Sequence, residues 1–192
     1  MAFFIPRVQL KIDASRLQTS MEEMARIGAT AGGGVHRLTL SDSDKDARDL
    51  FASWVKSAGL SLSVDEMGNM FARREGSDDL ATPVMVGSHF DSVPNGGRFD
   101  GSLGVLAALE IVRTLNDREI ATHRPIEIVN WTNEEGPRFP PSMLGSGVFA
   151  GAFERDFAYE VRDTDGMRFV VELDRIGYRG KLPCQPRPLA GY

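Results

Sequence analysis

The feature that most constrains the fold is a strand–helix–strand unit in the middle of the chain. The short apolar run TPVMVGS, residues 82–88, predicts a buried strand, and IEIVNWT, residues 126–132, predicts another. Between them, residues 101–115 are apolar on almost every side, which predicts a helix buried on more than one side. Two strands joined through a helix form a crossover, so this unit predicts an α/β sheet.

Local patterns on either side of this unit predict five further elements. Each one shows apolar residues at helical or strand spacing, bounded by glycine, proline or polar residues. They are helices over about residues 13–29, 41–58 and 164–177, and strands over residues 61–66 and 70–74. Ser41, Asp42 and Ser43 are candidate N-caps of the second helix, and Gly59 lies where that helix ends. The proline-rich residues 180–192 predict an irregular tail.

Composition limits the function classes. The 192 residues are 42% hydrophobic and 26% charged, which is the balance of one ordinary globular domain. The net charge of −5, without a basic block, argues against a nucleic-acid partner. There is no apolar run of about 18 residues, so a membrane span is not expected. Residues 1–8 lack the features of a secretory signal, which favours a cytoplasmic location.

Three loops at the ends of predicted strands carry the residues with chemical potential. They are GSHFD at 87–91, NGGRFDG at 95–101 and NEEG at 133–136. Together they collect His89, Asp91, Asp100, Glu134 and Glu135. Ligands bind beyond the carboxyl ends of strands in open α/β sheets, and imidazole with carboxylates is the ligand set of catalytic zinc. We therefore expect these side chains to meet in one metal-binding cleft.

Each motif has a functional interpretation and a simpler, structural one. The Asp of an HxD pair can orient the His, and adjacent glutamates can divide metal binding and proton transfer between them. Taken alone, however, His89 is more often structural, and Glu134-Glu135 is more often a solvated charge pair. Asp100 alone is also a candidate N-cap for the following helix.

Three further residues of interest lie outside these loops. His36 and His123 occur in polar stretches, so we expect surface or structural roles for both. Cys184 is the single cysteine and cannot form an internal disulfide, which fits a reducing compartment. We expect its thiol to be a spectator.

Two long segments make the chain recognisable. GSHFDSVPNGGRFDGSLGVLAALE, followed by RPIEIVNWTNEEGPRFPPSMLGS, closely resembles the hydantoinase/carbamoylase family of zinc-dependent amidohydrolases. The resemblance extends from about Gly34, in GGVHRLTLSDSDKDARD, to the last residue. It implies a three-layer, zinc-exopeptidase-like α/β fold with a mixed central sheet flanked by helices. It also implies a small-molecule substrate, namely an N-carbamoyl amino acid or a related ureido acid.

The resemblance assigns a role to each residue of the three loops. It makes His89 the ligand of one metal ion, Glu135 the ligand of a second, and Asp100 the carboxylate that bridges the two. Asp91 matches the carboxylate that supports the histidine, and Glu134 matches the general base that deprotonates the attacking water. The ions are zinc, or manganese, cobalt or nickel. Relatives commonly have a cis peptide bond after the bridging aspartate, so we expect one after Asp100.

The resemblance also implies departures from the family pattern. Relatives continue into a HIEQGP-type motif, a lid and dimerisation domain, and a final metal-binding histidine. Residues 1–192 therefore correspond to the N-terminal portion of the catalytic domain, without the lid domain. Each metal keeps two protein ligands here, with Asp100 shared, where three are usual. We expect weak zinc binding and little activity from this chain alone.

Two other functions stay open at this stage. One is a non-catalytic α/β module that binds a partner or itself, and the other is a general deacylase or aminopeptidase of the same broad group. An exposed strand edge and the apolar helix over residues 101–115 predict a homo-oligomer.

Overall fold

The computed structural model describes residues 10–78 and 80–186. The expectations for residues 1–8 and for the end of the tail lie outside the described residues. Ten elements follow one another along the described chain, and they are α1 Ala14–Arg26, α2 Asp42–Ser57, β1 Ser61–Val64, β2 Met70–Arg74, β3 Val84–His89, α3 Ser102–Asp117, β4 Ile126–Trp131, α4 Leu144–Phe149, α5 Arg155–Glu160 and α6 Phe169–Arg175.

The first two helices lie where local sequence predicts, although α1 ends at Arg26, three residues before its predicted end. The Asp13 side chain caps α1 by accepting from the main-chain N–H of Arg16. Ser41 caps α2 in the same way, by accepting from the N–H of Asp44. Gly59 follows α2 with a φ of 74°, a conformation that glycine adopts without strain.

The four strands form one mixed sheet in the order β1-β2-β4-β3. β1 and β4 are both antiparallel to β2, and β3 is parallel to β4. The crossover predicted from the strand–helix–strand unit is therefore confirmed, with α3 as its connecting helix. His89 pairs with Trp131, so the loops that follow β3 and β4 leave the sheet side by side.

Helices pack on both faces of the sheet and form three layers. One core joins α1, α2 and α3 to the sheet face that carries Met70, Ala72 and Ile128. On the opposite face, the Phe71 and Trp131 rings pack against Phe149 of α4, with centroids 5.9 and 5.1 Å away. A second core links α4, α5 and α6. The predicted three-layer fold with a mixed central sheet is confirmed.

One prediction about burial is wrong. β3 was expected to be buried, but it is an edge strand, and Val84 and Val86 are each 40% exposed. The reason is topological, because β3 pairs only with β4 among the described residues. Helix α3 is covered by the sheet on one side and by α1 on another, as predicted, although Leu103 and Ile111 stay 44% and 47% exposed.

The last part of the described chain is more irregular than expected. The helix predicted over residues 164–177 is confined to Phe169–Arg175, because a turn occupies the residues before it. Helices α4 and α5 were not predicted, since six residues are too few to show a helical period. None of the helices in the described parts of the chain is long and apolar enough to cross a membrane.

Candidate metal centre

His89 is the last residue of β3 and is held in one orientation. Its side chain is buried, and Nδ1 lies 2.9 Å from the main-chain oxygen of Asp91. A carbonyl oxygen can only accept a hydrogen bond, so Nδ1 must carry the proton of the neutral ring. The lone pair of Nε2 is then free to bind a cation.

Asp91 organises the loop that carries the two glutamates. Its carboxylate accepts from the Thr39 hydroxyl at 2.7 Å and from the main-chain N–H groups of Glu134 and Glu135, both at 3.2 Å. The expected bond from His89 goes instead to the Asp91 carbonyl, because the carboxylate is 3.7 Å from Nδ1. Burial raises the pKa of the Asp91 carboxyl, and the nearby Asp44 charge raises it further.

The structure brings four of the predicted site side chains together. Ligand atoms of His89, Asp100 and Glu135 all lie within 4.8 Å of one another. Glu134 Oε2 is 3.3 Å from His89 Nε2, on the side of the ring that faces the cluster. The pKa of the Glu135 carboxyl is raised, first by burial and further by the nearby Asp100, Asp91 and Glu134 carboxylates. One imidazole nitrogen and several carboxylate oxygens suit a divalent cation such as zinc.

Asp100 enters the cluster through a strained turn. Gly101 has φ 64° and ψ −58°, and the N–H of Ser102 donates to the Asp100 carbonyl at 2.6 Å. This is the positive-φ form of the γ-turn, which is rare and strained. The expected cis bond after Asp100 is wrong, because the cis bond in the described residues is Pro140–Pro141. The Asp100 side chain does not cap α3, which excludes its simpler interpretation as an N-cap.

Gly101 also lies directly against the histidine. A Cβ atom built on Gly101 would lie 2.5 Å from Nδ1, Cε1 and the main-chain oxygen of His89. Only a residue without a side chain fits this position. The loop of Asp100 and the ring of His89 are therefore packed against each other.

The glutamate loop is fixed from its other side as well. Asn133 has a φ of 58°, and its side-chain amide donates to the carbonyls of Phe139 and Pro141. The N–H of Met143 donates to the Glu134 carbonyl at 2.8 Å. The chain therefore returns against the glutamates before α4 begins.

Sequence reasoning missed two residues that support this cluster. Thr39 holds the Asp91 carboxylate, and Arg37 is a fully buried arginine beside the same loops. Both lie in the segment VHRLTLS, within the resemblance to the family, and that was the available signal. His36 and His123 are exposed, as predicted.

A cluster of metal ligands at the strand ends of a three-layer α/β fold suits a hydrolase. The sequence shows which family of hydrolases the chain belongs to. Residues 69–187 match peptidase family M28, and the chain belongs to this family.

Individual relatives define the branch of the family. The N-carbamoyl-L-amino-acid amidohydrolase of Rhizobium meliloti is 50% identical over 187 residues, which cover 97% of this chain and 45% of the relative. That of Geobacillus stearothermophilus is 43% identical over 166 residues, covering 86% of this chain and 40% of the relative. A hydantoinase/carbamoylase family amidase from Burkholderia multivorans superimposes with a TM-score of 0.93 at 54% identity, over 95% of this chain and 44% of that one.

These comparisons confirm the resemblance to hydantoinase/carbamoylase amidases. The chain spans less than half the length of each of these relatives.

Proposed function

We propose that this chain belongs to a metal-dependent amidohydrolase that hydrolyses the linear C–N bond of N-carbamoyl amino acids or related ureido acids. The observation that carries the proposal is the cluster of His89, Asp100 and Glu135, with Glu134 beside the histidine. Relatives named N-carbamoyl-L-amino-acid amidohydrolase support the substrate class.

Each residue of the cluster has a proposed role that follows from its contacts. His89 presents Nε2 to a divalent ion because Nδ1 is committed to the Asp91 carbonyl. Asp100 and Glu135 supply carboxylate oxygens. A bound divalent ion supplies Lewis acidity that polarises the carbonyl of the scissile amide. Glu134, which is partly exposed, accepts a proton from the attacking water and returns it to the leaving nitrogen.

Asp91 acts on these groups without touching the substrate. Its carboxylate fixes the main chain of both glutamates, and its carbonyl fixes the tautomer of His89. Removing such supporting partners from metal sites typically reduces metal affinity about 10- to 100-fold.

The number of ions is part of the proposal. In the family pattern, Asp100 bridges two ions, one also bound by His89 and the other by Glu135. The same three side chains also fit one ion with three protein ligands. Calorimetric titration with Zn²⁺, and separately with Mn²⁺, Co²⁺ and Ni²⁺, gives the stoichiometry directly.

A hybrid enzyme tests the activity. This chain replaces the matching 45% of the Rhizobium meliloti relative, and release of the free amino acid from N-carbamoyl-L-amino acids is measured. We expect turnover by the hybrid and its loss in Glu134→Gln. The matched control is Glu160→Gln, an exposed glutamate on α5. A folded, metal-loaded hybrid without turnover would contradict the proposal.

The same assay separates the other two functions. A panel that adds N-acyl amino acids and aminoacyl anilides tests a general deacylase or aminopeptidase. Metal binding without turnover of any substrate would favour the non-catalytic module.

We also propose that the chain forms a homo-oligomer through the β3 edge. Val84 and Val86 are exposed on this edge strand, and Leu103 and Ile111 are exposed on the neighbouring α3. Open edges with apolar side chains tend to pair, and a lysine on the edge prevents pairing. Sedimentation should show a dimer that Val86→Lys converts to a monomer. Val171→Lys, at a similarly exposed valine of α6, should leave the dimer intact.

The remaining proposals concern context. We propose that residues 1–192 are the N-terminal portion of a catalytic metallohydrolase domain, which agrees with the share of each relative that they cover. A cytoplasmic location is supported by a single, buried cysteine. Fractionation of the source cells tests the location.

A further inference from the structure

Arg37 is a buried arginine that makes four side-chain hydrogen bonds. Its Nη1 donates to the carbonyls of Met24 and Ile27 at the end of α1, at 3.1 and 3.0 Å. Its Nε donates to the Phe90 carbonyl at 2.6 Å, and its Nη2 donates to the Ser102 hydroxyl at 3.1 Å. The guanidinium therefore joins three separate segments of the chain.

Two of these segments carry the metal-centre residues. Phe90 lies between His89 and Asp91, and Ser102 is the second residue after Asp100. The main chain of Arg37 adds a further link, because its N–H donates to the Ser92 hydroxyl and its carbonyl accepts from the Ser92 N–H. Arg37 thus contacts the His89 loop at both Phe90 and Ser92, and the Asp100 loop at Ser102.

The choice of partners distinguishes Arg37 from a structural ion pair. Arg48 is equally buried, but it pairs with the Asp44 carboxylate at 3.0 Å. In the part of the chain that the structure describes, Arg37 donates to carbonyls and one hydroxyl and to no carboxylate. A buried charge is costly, and a planar fork of five donors is the side chain that serves several fixed acceptors at once.

We propose that Arg37 is a positioning residue that sets the spacing between the His89 loop and the Asp100 loop by binding Phe90 and Ser102 from one rigid guanidinium. The end of α1 anchors the guanidinium itself. The inference rests on the proposed function in one respect, namely that this spacing serves metal binding. The spacing itself is present without metal or substrate.

The test uses the metal-free chain and two variants. Arg37→Lys replaces the fork by a single ammonium, which cannot serve acceptors in three directions. Ser102→Ala removes only the link to the Asp100 loop and leaves the α1 and Phe90 bonds in place. The matched control is Arg74→Lys. Arg74 makes three side-chain hydrogen bonds, one fewer than Arg37, and it lies at the far end of β2 from the cluster.

Amide hydrogen exchange measures how readily each of the two loops opens. In Arg37→Lys, exchange at residues 89–92 and 100–103 should accelerate at least about 10-fold, which corresponds to about 1.4 kcal/mol of local opening. The β1–β2 hairpin should be unchanged. In Ser102→Ala, only residues 100–103 should accelerate, and this variant decides the matter if Arg37→Lys does not fold.

The imidazole of His89 gives a second readout that general destabilisation would not move. Its ¹⁵N chemical shifts at about pH 8, where an ordinary histidine is neutral, report which ring nitrogen carries the proton. We expect the Nδ1–H form in the wild type and in Arg74→Lys, and a mixture of forms in Arg37→Lys. Uniform acceleration of exchange, or unchanged exchange and ¹⁵N shifts, would overturn the inference. An inactive hybrid enzyme would instead overturn the proposed function alone.

Discussion

Replacing Gly101 by alanine tests the packing of the Asp100 loop against His89. Gly101 has a φ of 64° in the γ-turn, and its missing Cβ would lie 2.5 Å from the His89 ring and from the His89 carbonyl. The new methyl group therefore meets main-chain atoms as well as a side chain. The ring must retreat by about 1 Å to restore an ordinary contact distance.

Two effects add in Gly101→Ala. The backbone conformation costs about 1–3 kcal/mol for a residue with a side chain. Overpacking against His89 adds about 1–3 kcal/mol. We expect the free energy of unfolding to fall by about 2–6 kcal/mol in total. Affinity for a divalent ion should fall about 10-fold or more, because the ring leaves its binding position.

Two glycines of the same protein separate these effects. Gly33 has a φ of 81° and no atom within 4 Å of a built Cβ, so Gly33→Ala measures the backbone cost alone. Gly97, in the same loop as Gly101, has open space and no positive φ, so Gly97→Ala should change stability by less than about 0.5 kcal/mol. Urea unfolding followed by tryptophan fluorescence gives all three values, and competition with a chromophoric chelator gives zinc affinity. The reasoning is refuted if Gly101→Ala costs no more than Gly33→Ala and leaves zinc affinity unchanged.

Three other predictions concern acid stability, thiol reactivity and metal affinity. Burial alone raises the pKa of Glu110, but hydrogen bonds from Arg16, the Asp13 N–H and Thr114, together with the Arg16 charge, more than offset this, so its pKa lies below the usual 4.5. The ionised Glu110 carboxylate therefore stabilises the fold above pH 4.5, and this stabilisation is lost as the pH falls through the lowered pKa of the folded state. In urea unfolding between about pH 5 and pH 3, the free energy of unfolding should fall less in Glu110→Gln than in the wild type. Burial raises the pKa of the Cys184 thiol, and the Asp65 charge adds to this, so a thiol reagent should react about 100-fold faster in urea than in the native protein. Calorimetry should show zinc binding weaker than about 1 μM, since Asp100, one of three ligands, is exposed; tight binding of two ions would contradict this.

Much of the site could be predicted because its chemistry is local in sequence. His89, Asp91, Asp100, Glu134 and Glu135 lie in short loops after apolar runs, and parallel strands bring such loops to one edge of a sheet. The roles of these five residues remain predictions until metal binding and turnover are measured.

The contacts that orient those residues could not be predicted. The Asp91 carboxylate was expected to bind the His89 ring, but it binds the main chain of the glutamate loop, 43 residues away along the chain. The strain after Asp100 was expected in a cis bond, and it lies instead in the φ and ψ of Gly101. Both outcomes depend on how closely two loops approach, which no local pattern encodes.

The sequence by itself determined the positions of helices α1 and α2, the N-cap region of α2, the α3 crossover and the residue types at the strand ends. Periodicity, capping and strand–helix–strand order act over a few residues to a few tens of residues. Only the tertiary structure decided that β3 lies at the sheet edge, that Gly101 touches His89, and that Arg37 joins α1 to two loops of the metal centre. These are contacts between distant segments, and their geometry exists only once the sheet and its two cores have formed.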